Sequence, residues 1–93
     1  MDFSFDPAKD ARNIALRGLS FARAADFDWA DADIIEDTRH AYPERRFVAV
    51  GYLDRRLHVM CFTPTDIGIR IISFRKANMR EATKYGKAQT IDE

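Results

Sequence analysis

Phe3 and Phe5 alternate with Asp2, Ser4 and Asp6, the period-two pattern of a short half-buried strand. The alternation stops at Asp6-Pro7, where a capping carboxylate meets a proline suited to a first helical turn, so a helix should begin there. Ala8, Ala11 and Ala15, with Ile14 beside them, predict a narrow face of small residues able to lie close against a sheet, and Gly18 is the stop. Ser20 reads as a second N-cap. Phe21, Ala24 and Ala25 then mark the buried side of another short helix running to about Trp29.

The pattern changes in the middle of the chain. Arg46 to Tyr52, Arg56 to Phe62 and Ile69 to Phe74 are rich in Val, Ile, Phe and Tyr and predict strands. Asp54 and Arg55 separate the first two by the length of a tight hairpin, and the Thr63 to Gly68 segment is a longer turn. Ile34 to Asp37 adds a further strand, and Thr38 to Pro43 is a loop. Asn78 with Glu81 three residues on forms a capping box, so a last helix should run from Met79 to about Tyr85 and stop at Gly86. Residues beyond Gln89 are expected to fray. Two helices, a run of hairpin-linked strands and a closing helix predict an α+β fold, an antiparallel meander covered on one face.

Ninety-three residues suffice for one hydrophobic core, and 1–93 is read as a single domain. No apolar run approaches the roughly 20 residues that span a bilayer. The acidic start, with Asp2 and Asp6, does not resemble a secretory signal, and a lone Cys61 cannot form an internal disulfide; a cytoplasmic location is expected. The net charge of zero conceals a polarity. Residues 1–44 hold ten acidic and five basic side chains, and residues 45–93 hold five acidic and ten basic. A basic half containing aromatic rings suits a polyanion such as nucleic acid, although two oppositely charged solvated surfaces would give the same count.

His40, His58 and Cys61 have no metal-ligand spacing, and the four glycines form no phosphate-binding loop, so neither a metal nor a nucleotide cofactor is indicated. Cys61 lies in the most apolar strand and reads as an inert buried thiol. What stands out is a concentration of cations around the strands: Arg45, Arg46, Arg70, Arg75, Lys76 and Arg80. Simple alternation places Arg70 on one face with Ile72 and Phe74, and Arg75 on the other with Ile71 and Ser73. An arginine within an apolar strand needs a carboxylate or an anionic ligand, because its charge is costly to desolvate unpaired. Arg70 is satisfied either by Glu44, Asp37 or Glu81, or by a phosphate. Glu44 is a candidate general base or an orienting partner for Arg46, and His58 is the other candidate acid or base, although its mid-strand place reads rather as a satisfied or exposed histidine.

These residues resemble the BrnT toxin family over nearly the whole chain, from Phe3 to Tyr85. The resemblance rests on Phe5-Asp6-Pro7-Ala8-Lys9 with Asn13, Gly18 and Ser20; on Asp28-Trp29 with Asp37, Arg39, Tyr42, Glu44 and Arg46; and on Ile69 through Asn78 with Arg80, Glu81 and Tyr85. It implies a RelE-like fold and a metal-independent ribonuclease that slows translation and growth. It also implies neutralisation by a BrnA-type ribbon-helix-helix antitoxin, operator DNA being reached only through that partner, and is compatible with a dimer inside the complex. By the same resemblance, Glu44, Arg46, Arg70, Arg75 and Arg80 form the RNA site. The chain departs from the family's usual pattern in having Leu16-Arg17 where Lys-His commonly precedes the glycine, and Pro64-Thr65-Asp66 where a basic residue often follows the strand. These departures raise an alternative, a catalytically degenerate homologue acting as a non-enzymatic antitoxin-binding module.

Overall fold

The computed structural model describes residues 1–92. Strands β1 (Asp2–Phe5), β2 (Asp33–Asp37), β3 (Arg46–Leu53), β4 (Arg56–Pro64) and β5 (Gly68–Lys76) form one sheet in the order β1-β5-β4-β3-β2. Helix α1 (Pro7–Arg17) and a 3-10 helix (Phe21–Asp26) connect β1 to β2, and α2 (Met79–Tyr85) follows β5. β2 to β5 are the expected antiparallel meander. The sheet as a whole is mixed, because β1 pairs with β5 in parallel. The helical connection carries the chain from one edge of the sheet to the other, and three reversals bring β5 back beside β1 in the same direction. Gly68 permits that pairing, since a Cβ at this position would collide with the backbone oxygen of Asp2.

The local signals act where they stand in the sequence. Asp6 accepts from Ala8 N at 2.9 Å, and Asn78 and Glu81 complete a reciprocal capping box at α2. Asp54 and Arg55 both have positive φ, 49° and 65°, as a two-residue hairpin turn of the favoured hand requires.

Both faces of the sheet carry a core, which corrects the expectation of one covered face. On the first, Phe21, Ala24 and Phe27 pack on Ala49, Met60, Phe62, Ile71 and Phe74, with Phe3, Phe5 and Trp29 closing the edge. Phe27 meets Trp29 and Phe74 edge to face at centroid distances of 4.9 and 6.0 Å. Each such pair is worth about 1 kcal/mol beyond its area. On the second face, Ala77 and Ala82 cover Val50, Leu57 and Val59, flanked by Val48, Tyr52 and Tyr85.

The alanine face of α1 does not pack on the sheet: Ala8, Ala11 and Ala15 are exposed, and Asn13 is the helix's buried residue. Polar ties hold the helix instead. Asn13 Nδ2 donates to the carbonyls of Leu19 (3.0 Å) and Phe74 (2.9 Å), and Asp10 accepts from Phe21 N at 2.7 Å. The second helical segment is a six-residue 3-10 helix that stops before Trp29, and Ala25 on it is exposed. Trp29 Nε1 donates to the Ala24 carbonyl at 3.0 Å, taking up a backbone acceptor at its end. The C-terminal segment is tied down rather than frayed as far as Ile91. Leu57 N donates to Gln89 O at 2.9 Å, Ile91 N to Arg55 O at 2.8 Å, and Thr90 bridges Arg56.

A β-bulge in β5 matters most for the site. Phe62 pairs with Ile71 and Cys61 with Ser73, so Ile72 is an extra residue and the alternation resets there. Ile69, Ile71 and Phe74 therefore share the first core. Arg70, opposite Thr63, and Arg75, opposite Val59, both point to the α2 face. The two arginines thus lie on one face, not on opposite faces as uninterrupted alternation would have them.

Candidate functional site

The α2 face holds a cleft of about 510 Å³ whose floor is Val48, Cys61 and Ser73, with Arg46 on one side and Arg75 and Glu81 on the other. Arg75 is fixed in a two-point ion pair, donating to Glu81 Oε1 and Oε2 at 2.8 Å each. Glu81 is itself positioned as the third residue of α2, where Oε1 also accepts from Asn78 N at 3.0 Å. The Arg75 guanidinium and, less strongly, the Asn78 N–H hold its pKa down at about 2 against the opposing effect of burial. The cap that starts α2 therefore also orients the arginine that ends β5.

Arg46 is held differently. Its guanidinium lies over the Tyr42 ring at 4.2 Å, Nη2 is 3.7 Å from Glu44 Oε1, and Nε is buried without a hydrogen-bond partner. Tyr42 is anchored by its hydroxyl, which donates to Asp37 Oδ2 at 3.1 Å. Asp37 also accepts from Arg39 Nε and Nη2 at 2.9 and 3.0 Å, and Arg39 holds its carboxyl well below the usual carboxylate range. A planar cation stacked on a ring and only loosely paired with Glu44 keeps charge for an anion entering the cleft. Burial pushes the Cys61 thiol pKa up, so the sulfur on the cleft floor is a poor nucleophile.

Of the five residues that the sequence puts forward, the structure brings Arg46 and Arg75 into one cleft. Glu44 lies at its margin, beside Arg46, in an adjoining shallow pocket of about 320 Å³. Arg70 is exposed on the same face outside the cleft lining and makes no ion pair among the described residues, so it forms no network with Glu44. Arg80 is exposed on α2, also outside the lining. Of the satisfied and exposed readings of His58 the first holds: it is buried, and its Nδ1–H donates to the Arg56 carbonyl at 2.7 Å. Sequence reasoning assigned no role at the cleft to Tyr42 or the Asp37–Arg39 pair, and treated Glu81 chiefly as a cap. The signals for them are the loop aromatic four residues before Arg46 and the carboxylate six residues after Arg75.

Among the described residues no three or more His, Cys, Asp or Glu side chains cluster as a metal site, and no helix is long and apolar enough to cross a membrane. The family model for BrnT, the ribonuclease toxin of a type II toxin–antitoxin system, matches residues 5–81. The chain belongs to the BrnT family. No curated protein matches it. The BrnT match runs from the last residue of β1 through the first residues of α2, and so includes Arg46, Arg75 and Glu81. Membership makes this chain a relative of ribonuclease toxins that act opposite an antitoxin.

Proposed function

We propose that this chain is the toxin of a type II toxin–antitoxin pair, an endoribonuclease that cuts RNA without a metal ion and thereby slows translation and growth. One observation carries the reading. Arg46 and Arg75 face one cleft, and the Arg46 guanidinium there is stacked on Tyr42 and only loosely paired, 3.7 Å from Glu44. In the proposed reaction the RNA 2′-oxygen attacks the adjacent phosphorus, its proton passes to a base, and the bond from phosphorus to the 5′-oxygen breaks as that oxygen takes up a proton. Arg46 and Arg75 support the charge that builds on the phosphorane oxygens. Glu81 is a weak base because Arg75 holds its pKa at about 2. Glu44 is the better proton acceptor: Glu36, Asp37 and Glu81 are hydrogen-bonded to guanidinium groups, whereas Glu44 stands 3.7 Å from Arg46. Arg70 and Arg80 meet neighbouring phosphates from outside the cleft.

The same reading takes residues 1–93 as one RelE-like domain, acting in the cytoplasm and neutralised by a BrnA-type ribbon-helix-helix antitoxin through which operator DNA is reached. The test is induction of the chain alone in a bacterial host, following growth and RNA integrity beside an Arg75→Ala control. Arrest with RNA cleavage in the wild type and neither in the variant is expected. Soluble expression of the wild type without either effect would favour a second reading, a catalytically degenerate module that only binds its antitoxin. The commitment of Glu36, Asp37 and Glu81 to arginines is the observation on that side.

A further inference from the structure

Beyond the end of β5 lies a second cleft of about 770 Å³, between the C-terminus of α1 and the β3–β4 hairpin. Arg17, Arg23, Arg56, Arg75 and Lys76 border it, and among the described residues Asp54 is its one carboxylate. Asp54 is already occupied by Arg23 Nη2 at 2.8 and 2.9 Å, and Arg75 by Glu81. Arg17, Arg56 and Lys76 have no carboxylate partner among the described residues. Nor are the two arginines idle surface charges. Arg17 Nη1 donates at 3.0 Å to Oδ1 of buried Asn13, whose amide is in turn fixed on two backbone carbonyls. Arg56 Nη2 donates to the Ala77 carbonyl at 3.0 Å, while its Nε is buried with no partner. His58 on the wall adds no negative charge.

In a chain of zero net charge, three unanswered cations held around one concavity make a local field that draws and concentrates anions. Arg75 borders this cleft and the one containing Arg46, so the two are joined at that residue. We propose that the second cleft binds the sugar-phosphate backbone of the RNA strand flanking the cut, with Arg17, Arg56 and Lys76 as phosphate contacts. This rests on reading the Arg46–Arg75 cleft as the cleavage site, and it adds a grip that only a strand of sufficient length reaches. Such contacts set affinity rather than base preference.

The test uses the full chain and single-stranded RNA made uncleavable by 2′-deoxy substitution, as a trimer and as a strand of about 20 nucleotides. The wild type should bind the long strand at least tenfold tighter than the trimer. Arg17→Gln with Lys76→Gln, both at exposed positions, should remove most of that advantage and lower the slope of log affinity against log salt by about 1.4, at about 0.7 per phosphate contact. The charge-keeping pair Arg17→Lys with Lys76→Arg should restore both. A long strand bound equally by wild type and double Gln variant, with the same salt slope, would overturn the proposal, as would an advantage lost equally in the charge-keeping pair. These outcomes concern binding alone. Failure of the cleavage reading would appear separately, as intact natural RNA with the wild type.

Discussion

Among the described residues, the cleft on the α2 face sets four cations, Arg39, Arg46, Arg75 and Lys84, against three carboxylates, and each carboxylate is bound to an arginine; the cleft at the hairpin sets five cations against one. The first is a preorganised network. Its carboxylates are each fixed by an arginine before any ligand arrives, the kind of preorganisation that chemistry on a developing charge requires. The second is an excess of charge with little internal compensation, which suits retention of a polyanion and has no arrangement for making or breaking bonds. Arg75 borders both. A change there should act on both clefts at once, whereas Arg17 and Lys76 border the hairpin cleft alone.

Arg75→Ala should produce the largest effect. It removes one of the two proposed phosphorane contacts, and the expected loss in cleavage rate is about 10³-fold, the scale seen when a fixed donor to a developing oxyanion is deleted. Glu81 remains tied to Asn78 N, so α2 keeps its cap and the fold should persist by circular dichroism. Unimpaired cleavage by this variant would move the chemistry away from the α2-face cleft. Glu44→Gln comes next, with a fall in turnover of about 10²-fold if the residue takes the 2′ proton. An unchanged rate would leave Glu44 as a neighbour of Arg46 and no more.

The separation of the two clefts was legible in the sequence only in part, and the bulge shows why. The hairpin at Asp54-Arg55, the Asn78–Glu81 cap and the strands themselves follow from local chemistry, and they stand where the residues predict. The facing of Arg70 and Arg75 depends on the extra residue Ile72, which is a property of how β5 pairs with β4. No run of apolar and polar positions within β5 announces it. Likewise, Arg17 and Lys76 are 59 positions apart and border one cleft because Asn13 ties α1 to the Phe74 carbonyl. Asn13 stood in the sequence as one polar residue in a helix; that it would be the residue α1 buries, while the alanines stay in water, is a tertiary fact. The second core was missed for a similar reason, since Ala77 and Ala82 are too small to mark α2 as a covering helix.

Glu81→Gln should have a moderate effect and confine it to one side of the comparison. The amide keeps an acceptor for Asn78 N but leaves Arg75 without its charge partner, and the loss of stability should be about 1–2 kcal/mol by thermal or urea unfolding at neutral pH. Because Arg75 still reaches the cleft, cleavage should fall less than in Arg75→Ala. A rate equal to that of Arg75→Ala would mean that holding the guanidinium matters as much as having it.

The smallest expected effect is one of pH, and it assigns each cleft its own window. Glu81 titrates at about 2 in the folded chain, below an unfolded value of about 4.3, so its contribution is complete above that unfolded value and disappears as pH falls toward 2. His58 borders the hairpin cleft, and its pKa is also lowered, first by burial and then by the cations of Arg56 and Lys76. Its sign is the same but its window is higher. Stability tied to neutral His58 is complete above about 6.5 and declines as pH falls below that value, with a slope of at most about 1.4 kcal/mol per pH unit. Unfolding free energy followed from pH 7.5 to 3 should therefore show two declines. His58→Gln should flatten the upper, and Glu81→Gln should reduce the lower, with Asp37 and Glu36, whose carboxyls are also held down by arginines, supplying the remainder. A single decline below pH 4.5 in the wild type would show that His58 gains its proton in the folded chain as easily as in the unfolded one, and that the hairpin cleft tolerates one more positive charge.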